Sequence, residues 1–182
     1  KLYALNLPRQ PFFLVLGRHN PHKNIVKVLE ALGKIREKDI QVWFVGPEDA
    51  RYTPKLQAKA KQLGLAYRCK WIPWVTDVER LKLLNSCQAL IIASLWEGFG
   101  LPALEAMACQ TPVISSTAGA LPEIIGSAGL FVNPRKSYEI AEAMLSLIQN
   151  SSLRKSLVAS GLERLSSYRW DKCARIVEGV LT

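Results

Sequence analysis

Two short segments carry most of the residues able to do chemistry. The first is Gly17-Arg18-His19-Asn20-Pro21-His22-Lys23, and the second runs from Ser94 through Glu97-Gly98-Phe99-Gly100-Leu101-Pro102 to Glu105. Arg18 offers a planar fork of donors and Lys23 a compact ammonium, a pair suited to two linked phosphates. Gly17 lets the backbone turn closely there, and Asn20-Pro21 is a turn signal that opens a helix. In the second segment Pro102 fits the first turn of a helix reaching about Cys109, whose leading amides can receive a diphosphate. Gly98 and Gly100 remove side chains where backbone must approach a ligand. Two carboxylates beside a phosphate site must bind something other than phosphate. Vicinal hydroxyls are the natural partners, because an ionised carboxylate accepts two hydrogen bonds. A sugar at one end and a ribose at the other would need just such acceptors.

Positioning such segments requires a sheet. Short apolar runs at 12–16, 40–45, 67–72, 88–93, 112–115 and 129–132 alternate with helical patterns, and several are apolar throughout, as strands buried on both faces are. Ile25, Val28, Leu29, Leu32 and Ile35 form one helical stripe; Leu56, Ala60 and Leu63 predict a second, and Val78, Leu81 and Leu84 a third. Thr76 with Glu79 reads as a capping box before that third helix. After Val132 the pattern is wholly helical, with segments at 137–149, 151–167 and 170–181. The expected fold is α/β, a Rossmann-like doubly wound parallel sheet of about six strands with helices on both faces and extra C-terminal helices. In the strand order 3-2-1-4-5-6 a ligand lies at the carboxyl ends of strands 1 and 4, where both segments fall. Residues 1–10 stand outside the alternation and read as a linker from an absent N-terminal acceptor domain, leaving 11–182 as the binding domain.

Composition narrows the class. Of 182 residues, 49% are hydrophobic and 21% charged, which is ordinary for a globular domain. No apolar run approaches the roughly 18 residues of a membrane span. The start has neither the core nor the cleavage site of a signal peptide, so the expected compartment is the cytoplasm. The net charge of +9 lies wholly in the first half: residues 1–91 hold 16 Lys/Arg and 7 Asp/Glu, and residues 92–182 hold 8 of each. Such asymmetry fits a phosphate-bearing ligand or peripheral contact at the inner face of a membrane. Nucleic acid is not expected, since interleaved exposed aromatics and recognition motifs are missing. Solvated helix faces such as Lys55, Lys59 and Lys61 account for most of the excess. Four scattered cysteines (Cys69, Cys87, Cys109, Cys173) fit neither zinc nor a disulfide framework, and read as reduced, mostly buried thiols.

Several residues receive plain structural readings. His19 and His22 show no carboxylate to orient them. Trp74, Trp96 and Phe99 are expected to pack rather than to stack on a ligand, and Glu123 is a helix-start carboxylate. Gly98-Phe99-Gly100-Leu101-Pro102-Ala103 matches a dinucleotide-binding G-x-G-x-x-A, but it follows the fourth strand rather than the first, and no acid follows near Gly119.

The run Glu97-Gly98-Phe99-Gly100-Leu101-Pro102-Ala103-Leu104-Glu105 resembles the E-x7-E signature of retaining family 4 glycosyltransferases. Gly17-Arg18 with Lys23 is similar to their G-R-x4-K element, and Leu121-Pro122-Glu123 with Ala128-Gly129 to a further block. The likeness covers residues 11–150 in order and implies one half of a GT-B fold. It also implies that Arg18 and Lys23 hold a donor diphosphate and that Glu97 contacts the hexose. The amides of Phe99, Gly100 and Leu101 would lie near the sugar hydroxyls, Glu105 at the ribose and the Pro73 segment by the base. Family members transfer a hexose from a nucleotide donor without a bound metal, and no D-x-D motif occurs here; no cofactor is expected beyond the donor. UDP-glucose is the favoured donor, then a GDP-hexose, with a polysaccharide, glycan or lipid acceptor read by the absent half. The chain departs from the pattern at Asn24, Pro73, Ala93, Gln110 and Ser127; a left-handed Gln110 would cost about 1 kcal/mol against glycine. Competing readings are a non-catalytic donor-binding module, an epimerase of the same shape and a generic phosphate-binding module.

Overall fold

The computed structural model describes residues 6–181, so half of the expected linker, residues 1–5, lies outside the described residues. Residues 6–10 form no regular element. Six strands follow, β1 (Phe12–Leu16), β2 (Gln41–Val45), β3 (Cys69–Ile72), β4 (Leu90–Ile92), β5 (Val113–Ser116) and β6 (Gly129–Val132). All pair in parallel in the order β3-β2-β1-β4-β5-β6. The central strands are buried on both faces, which is why they read as continuous apolar runs.

Helices cover each face. On one side lie α1 (Ile25–Lys34), α2 (Thr53–Gln62) and α6 (Ser137–Gln149), closing a core around Phe13, Phe44, Leu29, Leu32, Ile140 and Leu147. On the other lie α3 (Asp77–Ser86), α4 (Leu101–Ala108) and α5 (Leu121–Ile125) over Leu14, Trp43, Leu84, Leu90 and Val113. Then come α7 (Ser151–Leu165), against α4 and α6, and α8 (Trp170–Leu181). The predicted α1 stripe is buried throughout.

Other expectations need correction. On α3, Val78 and Leu81 are exposed; of the expected stripe only Leu84 is buried, beside Leu83. The capping box is present as expected at Thr76 and Glu79, and the helix it starts buries Leu83 and Leu84 together. Leu63 falls beyond the end of α2 and is exposed. Trp74, Trp96 and Phe99 are 69%, 67% and 45% exposed, so they do not pack into the core of this chain. The cysteines are free, but only half-buried in three cases, and Cys173 is exposed. Burial pushes the Cys69 and Cys87 thiols up to about 12.

At the amino-terminal edge of the sheet, Arg68 is almost wholly buried. Its guanidinium donates to Ile40 O at 2.8 Å, Leu32 O at 3.2 Å, Ile35 O at 3.1 Å and Glu37 O at 2.9 Å. One side chain thus satisfies the carbonyls of the turn from α1 to β2.

Candidate functional site

The opposite edge, at the carboxyl ends of the strands, is assembled from loops rather than regular elements. The loop after β1 leaves Leu16 through Gly17, whose amide donates to Val45 O at 2.9 Å. Gly46, just after β2, lies directly against it: a Cβ there would stand 2.3 Å from Gly17 O, so only glycine fits. Pro21–Lys23 then forms a single 3-10 turn, and Asn24 is left-handed at φ 55°, ψ 34°.

Three consecutive residues of this loop bond to the loop after β4. His22 O accepts from Leu95 N at 2.7 Å, Lys23 Nζ meets Glu97 Oε2 at 2.9 Å, and Asn24 Nδ2 donates to Ala93 O at 3.0 Å. From the far side Gly119 seats the same loop. Ala120 N donates to Glu97 O at 3.1 Å, and a Cβ on Gly119 would fall 2.2 Å from that oxygen.

Between the two loops lies a crevice lined by Val15, Leu16, Lys23, Ile92, Ala93, Ser94, Glu97, Gly100 and Pro102. Lys23 and Glu97 are each 17% exposed, a close ion pair at its mouth. The Ser94 hydroxyl is buried without a hydrogen-bond partner, while Ser94 O accepts from Ser116 Oγ at 2.6 Å. Gly100 caps α4 and Pro102 sits in its first turn, as the sequence predicts. A cation, a carboxylate and an unpartnered hydroxyl therefore converge where the strand order reverses.

The remaining predicted residues stand around this crevice rather than in its lining. Gly98, Phe99 and Leu101 are exposed along the loop and helix start, and Pro73 is exposed just after β3. Arg18 is exposed. Asp49 is held below the usual carboxylate range chiefly by its hydrogen-bonded partner Arg51, and the Arg18 charge adds to that shift. Glu105 faces α3, where Arg80 Nη1 donates to Oε1 at 2.9 Å and Arg80 Nη2 to Asp77 at 3.1 Å. That pairing has no sequence signal, since the partners are 25 positions apart. His19 is buried, with Nδ1 3.0 Å from Thr53 Oγ1 and its ring edge-on to Trp71. Burial lowers its pKa against an opposing pull from Glu48, and Nε2 has no partner.

A parallel sheet in this strand order, with a polar crevice at its switch point, defines the Rossmann-like class of doubly wound domains. The chain belongs to the family of group 1 glycosyl transferases, whose model matches residues 4–164. It is 30% identical over 178 residues to the O-antigen chain mannosyltransferase B of Escherichia coli, covering 94% of this chain and 46% of that protein. A solved C-terminal domain of a group 1 glycosyl transferase from Francisella tularensis is 31% identical, with a TM-score of 0.77 over 87% of this chain and 85% of that one. The Anabaena protein HepE, solved with UDP-glucose, has the same fold at a TM-score of 0.81 and 22% identity, over 94% of this chain and 49% of that one. The fold is thus that of one half of a GT-B glycosyltransferase, and the chain spans about half the length of the first curated relatives it matches. Among the described residues no helix is long and apolar enough to cross a membrane.

Proposed function

We propose that this chain is the donor-binding domain of a retaining family 4 hexosyltransferase. The observation that carries the reading is the Lys23–Glu97 pair at the mouth of the switch-point crevice. In the unliganded protein these two charges neutralise each other. A donor would separate their tasks: Lys23, with Arg18, takes the diphosphate, and Glu97 accepts from hexose hydroxyls. The amides of Phe99, Gly100 and Leu101 lie near the same hydroxyls. Glu105 keeps one oxygen on Arg80 and offers the other to the ribose. The loop through Pro73 borders the base.

Transfer with retention then runs on one face of the sugar. The acceptor oxygen bonds to the anomeric carbon as the bond from that carbon to the phosphate oxygen breaks. The leaving diphosphate takes the acceptor's proton, and Arg18 and Lys23 stabilise the charge it gains, usually the dominant catalytic effect. Glu97 positions the sugar and is not a nucleophile. No metal is required in this scheme, because the two cations occupy the place a divalent ion would serve.

The sugar is a hexose on a nucleoside diphosphate. UDP-glucose is the donor we favour, the compound bound by the Anabaena protein; the mannosyl activity named for the Escherichia coli relative makes a GDP-hexose the alternative. The acceptor is a growing polysaccharide, glycan or lipid presented by a second domain, in the cytoplasm or peripherally at the inner face of the membrane. Because the chain spans about half of its first relatives, a second reading is favoured for these residues alone: donor binding with little or no turnover. Calorimetric titration of UDP, GDP, ADP and their glucose and mannose forms, with and without Mg²⁺, tests both. Metal-independent binding of one nucleotide, weakened in Arg18→Ala and Glu105→Ala, is the expected result. No binding, or binding indifferent to both substitutions, would overturn the assignment, and robust transfer by this chain alone would sink the second reading.

A further inference from the structure

Asn24 combines three properties that a helix-start residue does not need. Its backbone is left-handed, a conformation that glycine adopts most easily and asparagine tolerates. It stands at the N-cap of α1, yet its side chain makes no capping hydrogen bond there. Both amide donors are instead sent across the edge of the sheet, to Ala93 O at 3.0 Å and to Pro134 O at 2.6 Å. Ala93 directly follows β4, and Pro134 lies in the loop after β6. One side chain therefore ties the loops after β1, β4 and β6 together.

The residue before it is Lys23. The ammonium of Lys23 stands at the end of four methylene groups, so its place in the crevice depends on where the backbone at 23 and 24 is held. The bond from Leu95 N to His22 O fixes the other side of the same turn. Resting on the donor-site reading above, we infer that Asn24 is a positioning residue for Lys23. Its two amide bonds hold the 3-10 turn at the height where the ammonium meets a donor diphosphate. A small displacement of a charged group away from its working geometry is costly.

Substitution can separate the amide from the backbone. Asn24→Gly keeps the left-handed turn and deletes the donors; Asn24→Asp keeps the shape but turns a carboxylate toward two carbonyl oxygens. Titrations of UDP and GDP into the 182-residue chain, followed by NMR shifts to millimolar concentration, are made for wild type, Asn24→Gly, Asn24→Asp, Lys23→Ala and the Lys23→Ala/Asn24→Gly double variant. Asn24→Gly is expected to weaken the nucleotide that binds wild type about five- to tenfold, and Asn24→Asp more. In the Lys23→Ala background, Asn24→Gly should change affinity less than about twofold, because residues acting through one another are not additive. Wild-type affinity in Asn24→Gly, or a full additive loss in the double variant, overturns the inference while leaving the donor site standing. If neither nucleotide binds wild type, or Lys23→Ala binds as wild type does, the donor reading fails and this inference with it.

Discussion

Arg68 and Lys23 are both cations withdrawn from water, and they are withdrawn in opposite ways. Arg68, at the amino-terminal edge of the sheet, donates to four backbone carbonyls and feels the Glu37 carboxylate only as a nearby charge. Burial lowers its pKa, though a guanidinium stays charged regardless. Lys23, at the carboxyl edge, has a single carboxylate partner and a crevice beside it. A cation bonded to four fixed backbone carbonyls is a structural part, since none of those partners can step aside for a ligand. A cation held by one exchangeable partner is available. The difference lies in whether the partners are fixed backbone or one movable side chain, not in the depth of burial.

The comparison breaks most sharply at Arg68. Arg68→Ala removes a donor from four carbonyls, of which Leu32 O keeps Ile35 N, and should cost about 3–5 kcal/mol in a urea titration. Whatever remains folded should bind nucleotide as wild type does; lost affinity beyond lost stability would blur the distinction. Lys23→Ala is expected to do the reverse, weakening nucleoside diphosphate binding about ten- to a hundredfold in calorimetry. Its unfolding free energy should fall by about 1–2 kcal/mol, less than for Arg68→Ala, because Glu97 is left mostly buried without its partner. A third change isolates stability at a position on neither edge cation: Gln110, left-handed at φ 56°, gains about 1 kcal/mol on replacement by glycine, read as a raised urea midpoint with unchanged affinity.

The smallest effect belongs to His19, a titrating group near the site whose burial holds its pKa below the ordinary imidazole value. Above about pH 6.5 the ring is neutral in both folded and unfolded chains and stability is insensitive to it. As pH falls through that value the unfolded chain takes up a proton that the folded chain resists, so stability declines toward acid. Thermal midpoints from pH 7.5 to 5.5 should fall in wild type and fall less in His19→Gln. An identical slope would assign the acid sensitivity elsewhere.

Much of this was legible in the chain. Strands buried on both faces announce themselves as apolar runs, and their alternation with helices makes the sheet parallel and doubly wound. Both crevice loops stood out because glycine, proline and charge interrupt the pattern at the two strands flanking the switch point. What was hidden is what folding brings together over long separations. Periodicity pointed α3 toward Val78, Leu81 and Leu84, while the core takes Leu84 with Leu83. Glu105 looked open to a ligand on both oxygens, and Arg80 holds one of them. Arg68 read as one more cation of a basic half, and His19 as a loop residue. Asn24 stood out as a departure from the usual glycine, but its reach to Pro134 depends on a loop 110 residues away. A glycine placed directly after the β2 run was the one available hint that Gly46 and Gly17 touch.

The lacing of residues 22–24 to residues 93–97 also sets when the site can exist. Its bonds join positions 69 and 74 apart in the chain, and the tie from Asn24 to Pro134 spans 110. Such contacts form only after long loops have closed, which places them late among folding events. A chain that has built only the β1–β2 half has no crevice for a ligand to find. On the donor-site proposal, a nucleotide would select the completed sheet and raise its apparent stability by mass action. The melting temperature would then become a binding isotherm, and a donor could be screened by heat alone.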